Sequence, residues 1–112
     1  MASETLRASF DETTMANANT AVETYIDAIW AAVGGTPTDI QISLSVNINA
    51  ELTGDTTEYV YSMKLVASNE TSTLLKTALD ALFAEYEDVA SDSSLYDTIN
   101  TVDGSITITV NY

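Results

Sequence analysis

From residue 40 onward the chain alternates apolar and polar residues without a fault. Ile40, Ile42, Leu44, Val46, Ile48, Ala50 and Leu52 take one parity, and Gln41, Ser43, Ser45, Asn47, Asn49 and Glu51 take the other. A repeat of two marks a strand with one dry and one wet face. Gly54-Asp55 follows as a tight-turn signal, and Tyr59, Tyr61, Met63, Leu65 and Ala67 then alternate in turn. A two-residue turn there places Ala50 opposite Tyr59, Ile48 opposite Tyr61, Val46 opposite Met63 and Leu44 opposite Leu65. Apolar meets apolar in each pair. A slip by one residue would turn the whole set to water, so the register is strongly specified. Residues 40–52 at ~3.3 Å each give a strand about 43 Å long, more than the ~30 Å of a twenty-residue helix. The hairpin tip is expected to project past the helices.

The flanking segments repeat at three and four residues instead. Met15, Ala18, Val22, Tyr25, Ile26, Ile29 and Val33 form one stripe, predicting a helix over residues 10–33. Ser9 and Glu12 match a capping box, and Gly34-Gly35 followed by Pro37 stops the run. Leu6 and Phe10 are out of phase with the stripe, so residues 1–9 read as an N-terminal arm. Trp30 sits at the stripe's edge, placed to close the core or to anchor a partner. A second helix is expected over residues 70–90, capped by Ser68 or Asn69, with Leu75, Leu79, Leu82, Tyr86 and Val89 inward and Ala78 and Phe83 beside them. Asp103-Gly104 reads as another hairpin turn. It would join a weakly patterned strand over 95–102 to one carrying Ile106, Ile108, Val110 and Tyr112. The order α-β-β-α-β-β predicts one α+β domain over residues 10–112: a four-stranded, mainly antiparallel sheet with both helices on one face. The other face would be Ser, Asn, Gln and Thr.

Composition narrows the chemistry. The 112 residues hold 17 Asp and Glu against 3 Lys and Arg, a formal charge of -14, with no His and no Cys. Thiol nucleophiles, disulfides, zinc sites of Cys or His, and a histidine general base all lack their residues. Three cations cannot neutralise a phosphate backbone, so direct nucleic-acid binding is not expected. No apolar run approaches the ~20 residues that span a bilayer. Neither a Gly-rich phosphate loop nor a calcium-loop motif occurs, and Ser and Thr have no base to activate them. Glu51 and Glu58 fall opposite one another in the derived pairing, but no cleft is implied around them, and two solvated carboxylates near a turn explain them better than an acid–base pair. Asn69-Glu70-Thr71 matches a glycosylation sequon and reads more simply as a helix cap. The expectation is a non-enzyme without cofactor or metal. The acidity itself admits three explanations: a salt-loving host, a basic partner, or DNA that must slide past without sticking.

The sharpest feature is an acidic tract, Asp80, Glu85, Glu87, Asp88, Asp92, Asp97 and Asp103, with no Lys or Arg after Lys76. Glu85, Asp88 and Asp92 share the solvent side of the second helix. An ordinary solvated face competes there with a surface imitating a phosphate backbone. The residues nominated for interaction are Leu6 and Phe10 near the arm, Trp30, then Glu51, Asp55 and Glu58 near the hairpin tip, and Glu85, Asp88 and Asp92.

A helix, a long hairpin, a second helix and a closing strand ending in SITITVNY resemble, over residues 10–112, the tail-terminator and neck proteins of tailed bacteriophages. The resemblance lies in element order. It implies a non-enzymatic virion component at the head–tail junction, made in the host cytoplasm and assembled as a ring with copies of itself and other virion proteins. Members of that group are often longer, with insertions in their loops, so connector, tail and capsid-associated roles stay open. The alternative is an acidic DNA mimic of the anti-CRISPR or anti-restriction type, acting in the host cytoplasm on a basic nucleic-acid enzyme.

Overall fold

A computed structural model of the chain describes residues 2–34, 39–52, 58–91 and 99–112. Six elements follow in the order β1 (Ser3–Glu12), α1 (Met15–Ala32), β2 (Gln41–Leu52), β3 (Glu58–Ser68), α2 (Ser72–Ser91) and β4 (Ile99–Asn111). They form an α+β domain with one four-stranded antiparallel sheet in the order β1-β4-β2-β3. β4 lies between β1 and β2, and β2 lies between β4 and β3. The chain therefore builds two interlocked β-α-β units, each split by a strand of the other. Both helices cover one face, α1 over β1 and β4 and α2 nearer β3. The molecule is elongated, 50 × 19 × 16 Å.

The central hairpin takes the register read from the alternation: Ala50 with Tyr59, Ile48 with Tyr61, Val46 with Met63 and Leu44 with Leu65. The Gly54-Asp55 turn lies outside the described residues. β4 continues the dry side, pairing Ile42 with Val110, Leu44 with Ile108 and Val46 with Ile106. Ile42, Leu44, Val46, Ile48, Val102, Ile106, Ile108 and Val110 are buried in one core with Val22, Ile26, Leu75, Leu79 and Phe83 of the helices. Each such aliphatic contributes about 1.5–3 kcal/mol by leaving water. The same register sets Asp11 opposite Asp103 and Glu51 opposite Glu58. Like charges across a pair of strands cost only about 0.2–1 kcal/mol, so burial decides the pairing.

Two expectations are corrected at the ends. Residues 1–9 are not a free arm, because residues 3–12 form β1 along the outer side of β4, Leu6 opposite Ile108 and Phe10 opposite Gly104. Leu6, Ala8 and Phe10 keep the period of two that the exposed Arg7, Ser9 and Asp11 complete, and this outweighs the capping-box match at Ser9 and Glu12. α1 begins at Met15, where the Thr14 side chain accepts the Asn17 N–H at 3.1 Å. It ends where Gly34 adopts φ +84°, a left-handed conformation that costs glycine nothing. The cap of α2 is likewise later than expected: Thr71, not Ser68 or Asn69, accepts the Leu74 N–H at 3.2 Å. Asn69 instead turns the chain at φ 60°.

The second correction concerns Asp103-Gly104, which is no turn. Residues 99–111 form one strand, and the inward parity of Val102, Ile106, Ile108 and Val110 passes unbroken through Gly104. Glycine is required there by close approach. A Cβ would overlap the Asn47 carbonyl oxygen and meet Phe10 Cζ at 2.9 Å. The Phe10 ring takes the space that a side chain would fill and packs on Phe83, centroids 6.4 Å apart. Gly104→Ala should therefore lower unfolding stability by about 2–4 kcal/mol. Urea titration would check this, an unchanged m-value showing that the fold itself is kept.

Candidate functional site

The uncovered face of the sheet is built by the outward parity of all four strands. The pairings set its rows: Ser3, Asn111, Gln41, Ser68; then Thr5, Thr109, Ser43, Val66; then Arg7, Thr107, Ser45, Lys64; then Ser9, Ser105, Asn47, Ser62. These four consecutive rows hold no carboxylate, in a chain that has 17. They hold two of its three cations, Arg7 and Lys64, at opposite ends of one row. Neighbouring hydroxyls and amides bond across the strands. Thr5 Oγ1 and Thr109 Oγ1 are 3.1 Å apart, and Ser62 Oγ donates to Asn47 Oδ1 at 2.7 Å. Beyond these rows the face turns acidic at Asp11, Asp103 and Glu51.

The helix layer has the opposite character. Its outward positions are small or hydroxylic, and Thr20, Thr24 and Thr77 return their hydroxyls to the carbonyls four residues back at 2.9–3.0 Å. Around them stand Glu23, Asp27, Asp80, Glu85, Glu87 and Asp88, with Lys76 the one cation on either helix. A polar seam joins the antiparallel helices. Asn19 Nδ2 donates to Asp80 Oδ1 at 2.5 Å, and Lys76 Nζ meets Asp27 Oδ1 at 2.5 Å. Between them, a side-chain hydrogen bond with Asp80 raises the Glu23 pKa above its ordinary value, helped by partial burial and by the Asp80 charge and opposed by Lys76.

The nominated residues separate in space. Phe10 and Trp30 are 5% and 6% exposed, and Leu6 is half-buried against the same core. These three serve the interior, which corrects the nomination of Leu6 and Phe10 for interaction and gives Trp30 the core-closing one of its two expected roles. The Trp30 indole N–H has no hydrogen-bond partner among the described residues. Glu51 is half-buried on β2, opposite the first residue of β3, Glu58. Glu85 and Asp88 are exposed on α2. Asp55 and Asp92 lie outside the described residues. Arg7, Lys64, Val60 and Val66, outside the nominated set, also lie on the open face. The alternation marks three of them, since the inward parity of Tyr61, Met63 and Leu65 leaves Val60, Lys64 and Val66 facing water.

Among the described residues no group of three or more acidic side chains could hold a metal ion, and no helix is long and apolar enough to cross a membrane. The linkage at Glu23 has a definite sign. A carboxyl whose pKa is raised on folding stabilises the fold at pH values below that raised pKa, and the contribution is lost as pH climbs through the window above its unfolded value of 4.5. Glu23→Gln should thus raise the melting temperature at pH 7 by a few degrees, in keeping with about 0.2–1 kcal/mol for an exposed, screened pair. The gain should vanish near pH 4, which melting curves at both pH values would show. Neither a protein-family model nor a curated protein sequence matches this chain.

Proposed function

We propose that this protein is a non-catalytic structural component of a virus particle, a tail-terminator, neck, tail or capsid-associated protein that assembles with copies of itself or with other virion proteins. The observation that carries this reading is the open sheet face. A merely solvated surface in so acidic a chain gains solubility from every carboxylate it displays. Four adjoining rows without one are what an association surface needs, because charge is depleted at the centre of protein interfaces. The Thr, Ser and Asn side chains of these rows offer donors and acceptors in a rigid array. Arg7 and Lys64 suit an acidic or carbonyl-rich partner. The acidic helix layer would then face away from the contact, on the side where DNA passes or solvent lies.

A second reading draws on Glu85 and Asp88, exposed on α2, as a phosphate-like surface for a basic nucleic-acid enzyme. The two readings use opposite faces, so substitutions separate them. Ser45→Glu with Thr107→Glu should remove the protein from gradient-purified particles while leaving its circular dichroism unchanged, and Glu85→Lys with Asp88→Lys should leave incorporation intact. Immunoblotting of the particles reads both. A wild-type protein absent from particles would sink the virion reading. Recovery of a basic nucleic-acid enzyme that the helix variant no longer binds would establish the second.

A further inference from the structure

Among the described residues β3 is an edge strand with few of the usual protections. Its residues 58–68 contain no proline, its pairing with β2 has no bulge, and its charged residues are Glu58 at one end and a single cation, Lys64. Val60 and Val66 point from it onto the open face, 70% and 71% exposed, beside Asn49 and Ser43 of β2. Their cross-strand partners are both polar. Leu74, 53% exposed, completes the set of large exposed hydrophobic side chains among the described residues. Lys76 and Asp80 turn toward α1. At 3.6 residues per turn, Leu74 falls on the other flank of α2, the one on the β3 side.

We infer that two copies of the chain pair antiparallel through β3, about a two-fold axis perpendicular to the sheet at Met63. This inference rests on the edge strand alone and holds whatever the fate of the virion reading. With Met63 opposite Met63, the whole strand overlaps and Val60 lies opposite Val66 on both sides of the axis. Tyr61 then meets Leu65, and Ser62 meets Lys64. Such an axis keeps each face with its like. The half-buried Tyr61, Met63 and Leu65 complete their burial, the valines cover each other, and the helices of both copies share one side of an eight-stranded sheet. No like charges fall opposite one another. The other edge offers no equivalent. Centred self-pairing of β1 sets Arg7 against Arg7 or Glu4 against Glu12, and full antiparallel overlap of β1 with β3 sets Arg7 against Lys64. An isologous contact of this kind closes at two copies.

The chain has no cysteine, so the register can be tested with introduced thiols. Val60→Cys with Val66→Cys should form a disulfide-linked dimer under mild oxidation. Val60→Cys alone should not, because its two thiols would lie six residues, or about 20 Å, apart across the axis. The double variant should link at least about tenfold faster, as pairing raises the effective thiol concentration. Sedimentation of the unmodified protein should show a monomer–dimer equilibrium that shifts toward dimer as salt screens the repulsion between two strongly acidic copies. Val60→Glu with Val66→Glu should sediment as monomer throughout. A wild-type protein monomeric at every ionic strength would overturn the inference. So would a dimer that survives the glutamate pair, or equal crosslinking by the single and double cysteine variants.

Discussion

One dry surface, shared by four strands and continuous from β1 to β3, underlies everything else in this molecule. It exists because inward-facing residues of the same parity meet across every strand pair: Leu6 with Ile108, Ile108 with Leu44, Leu44 with Leu65. The helices have no other place to bury their stripes. Tyr86 shows how closely the layers fit. Its hydroxyl, carried into the core on α2, accepts the Ala50 N–H at 3.3 Å, and its ring packs on Tyr61 at 5.6 Å. Gly104 is the one inward position in this surface without a side chain, and the Phe10 ring fills the gap from the neighbouring strand.

The dry side determines the wet side. Once the inward parity is set, the outward residues of all four strands must lie together, whatever their chemistry. The chain uses that constraint by placing Thr, Ser and Asn in the middle rows, cations at the two margins of one row, and carboxylates at one end. Six further carboxylates, Glu23, Asp27, Asp80, Glu85, Glu87 and Asp88, stand on the helices. The result is a molecule with two faces of different electrostatic character, one drawn from the outward residues of four strands and the other from two helices.

The outer strands bear the consequences of an open sheet. On β1 the edge is defended by charge: Arg7 at the centre and Glu4 and Glu12 near the ends disfavour self-pairing in any centred register. On β3 the charged residues are Glu58 at one end and Lys64 near the middle, neither of which meets a like charge when the strand pairs with its own copy, and the exposed Val60 and Val66 are β-branched, the residues that pair best across strands. The contrast between the two edges, and not the presence of an edge as such, gives β3 its character as a contact.

The central hairpin and its register, the two amphipathic helices, the polar outer face and the α+β class follow from the amino-acid sequence by itself. Each is a local or nearest-neighbour consequence of a repeat of two or of three and four. The placement of residues 3–12 and the continuity of β4 were decided only in the tertiary structure. Ser9 and Glu12 fit a helix start, and Asp103-Gly104 fits a turn, as long as each is judged by its own neighbours. What overrules both is a contact between segments almost a hundred residues apart, in which Phe10 lies over Gly104 and the inward side chains of β4 gain a second apolar border. Turn and cap signals act over about four residues, whereas the burial of a strand is settled by whichever strands lie on either side of it, and local spacing carries no record of those.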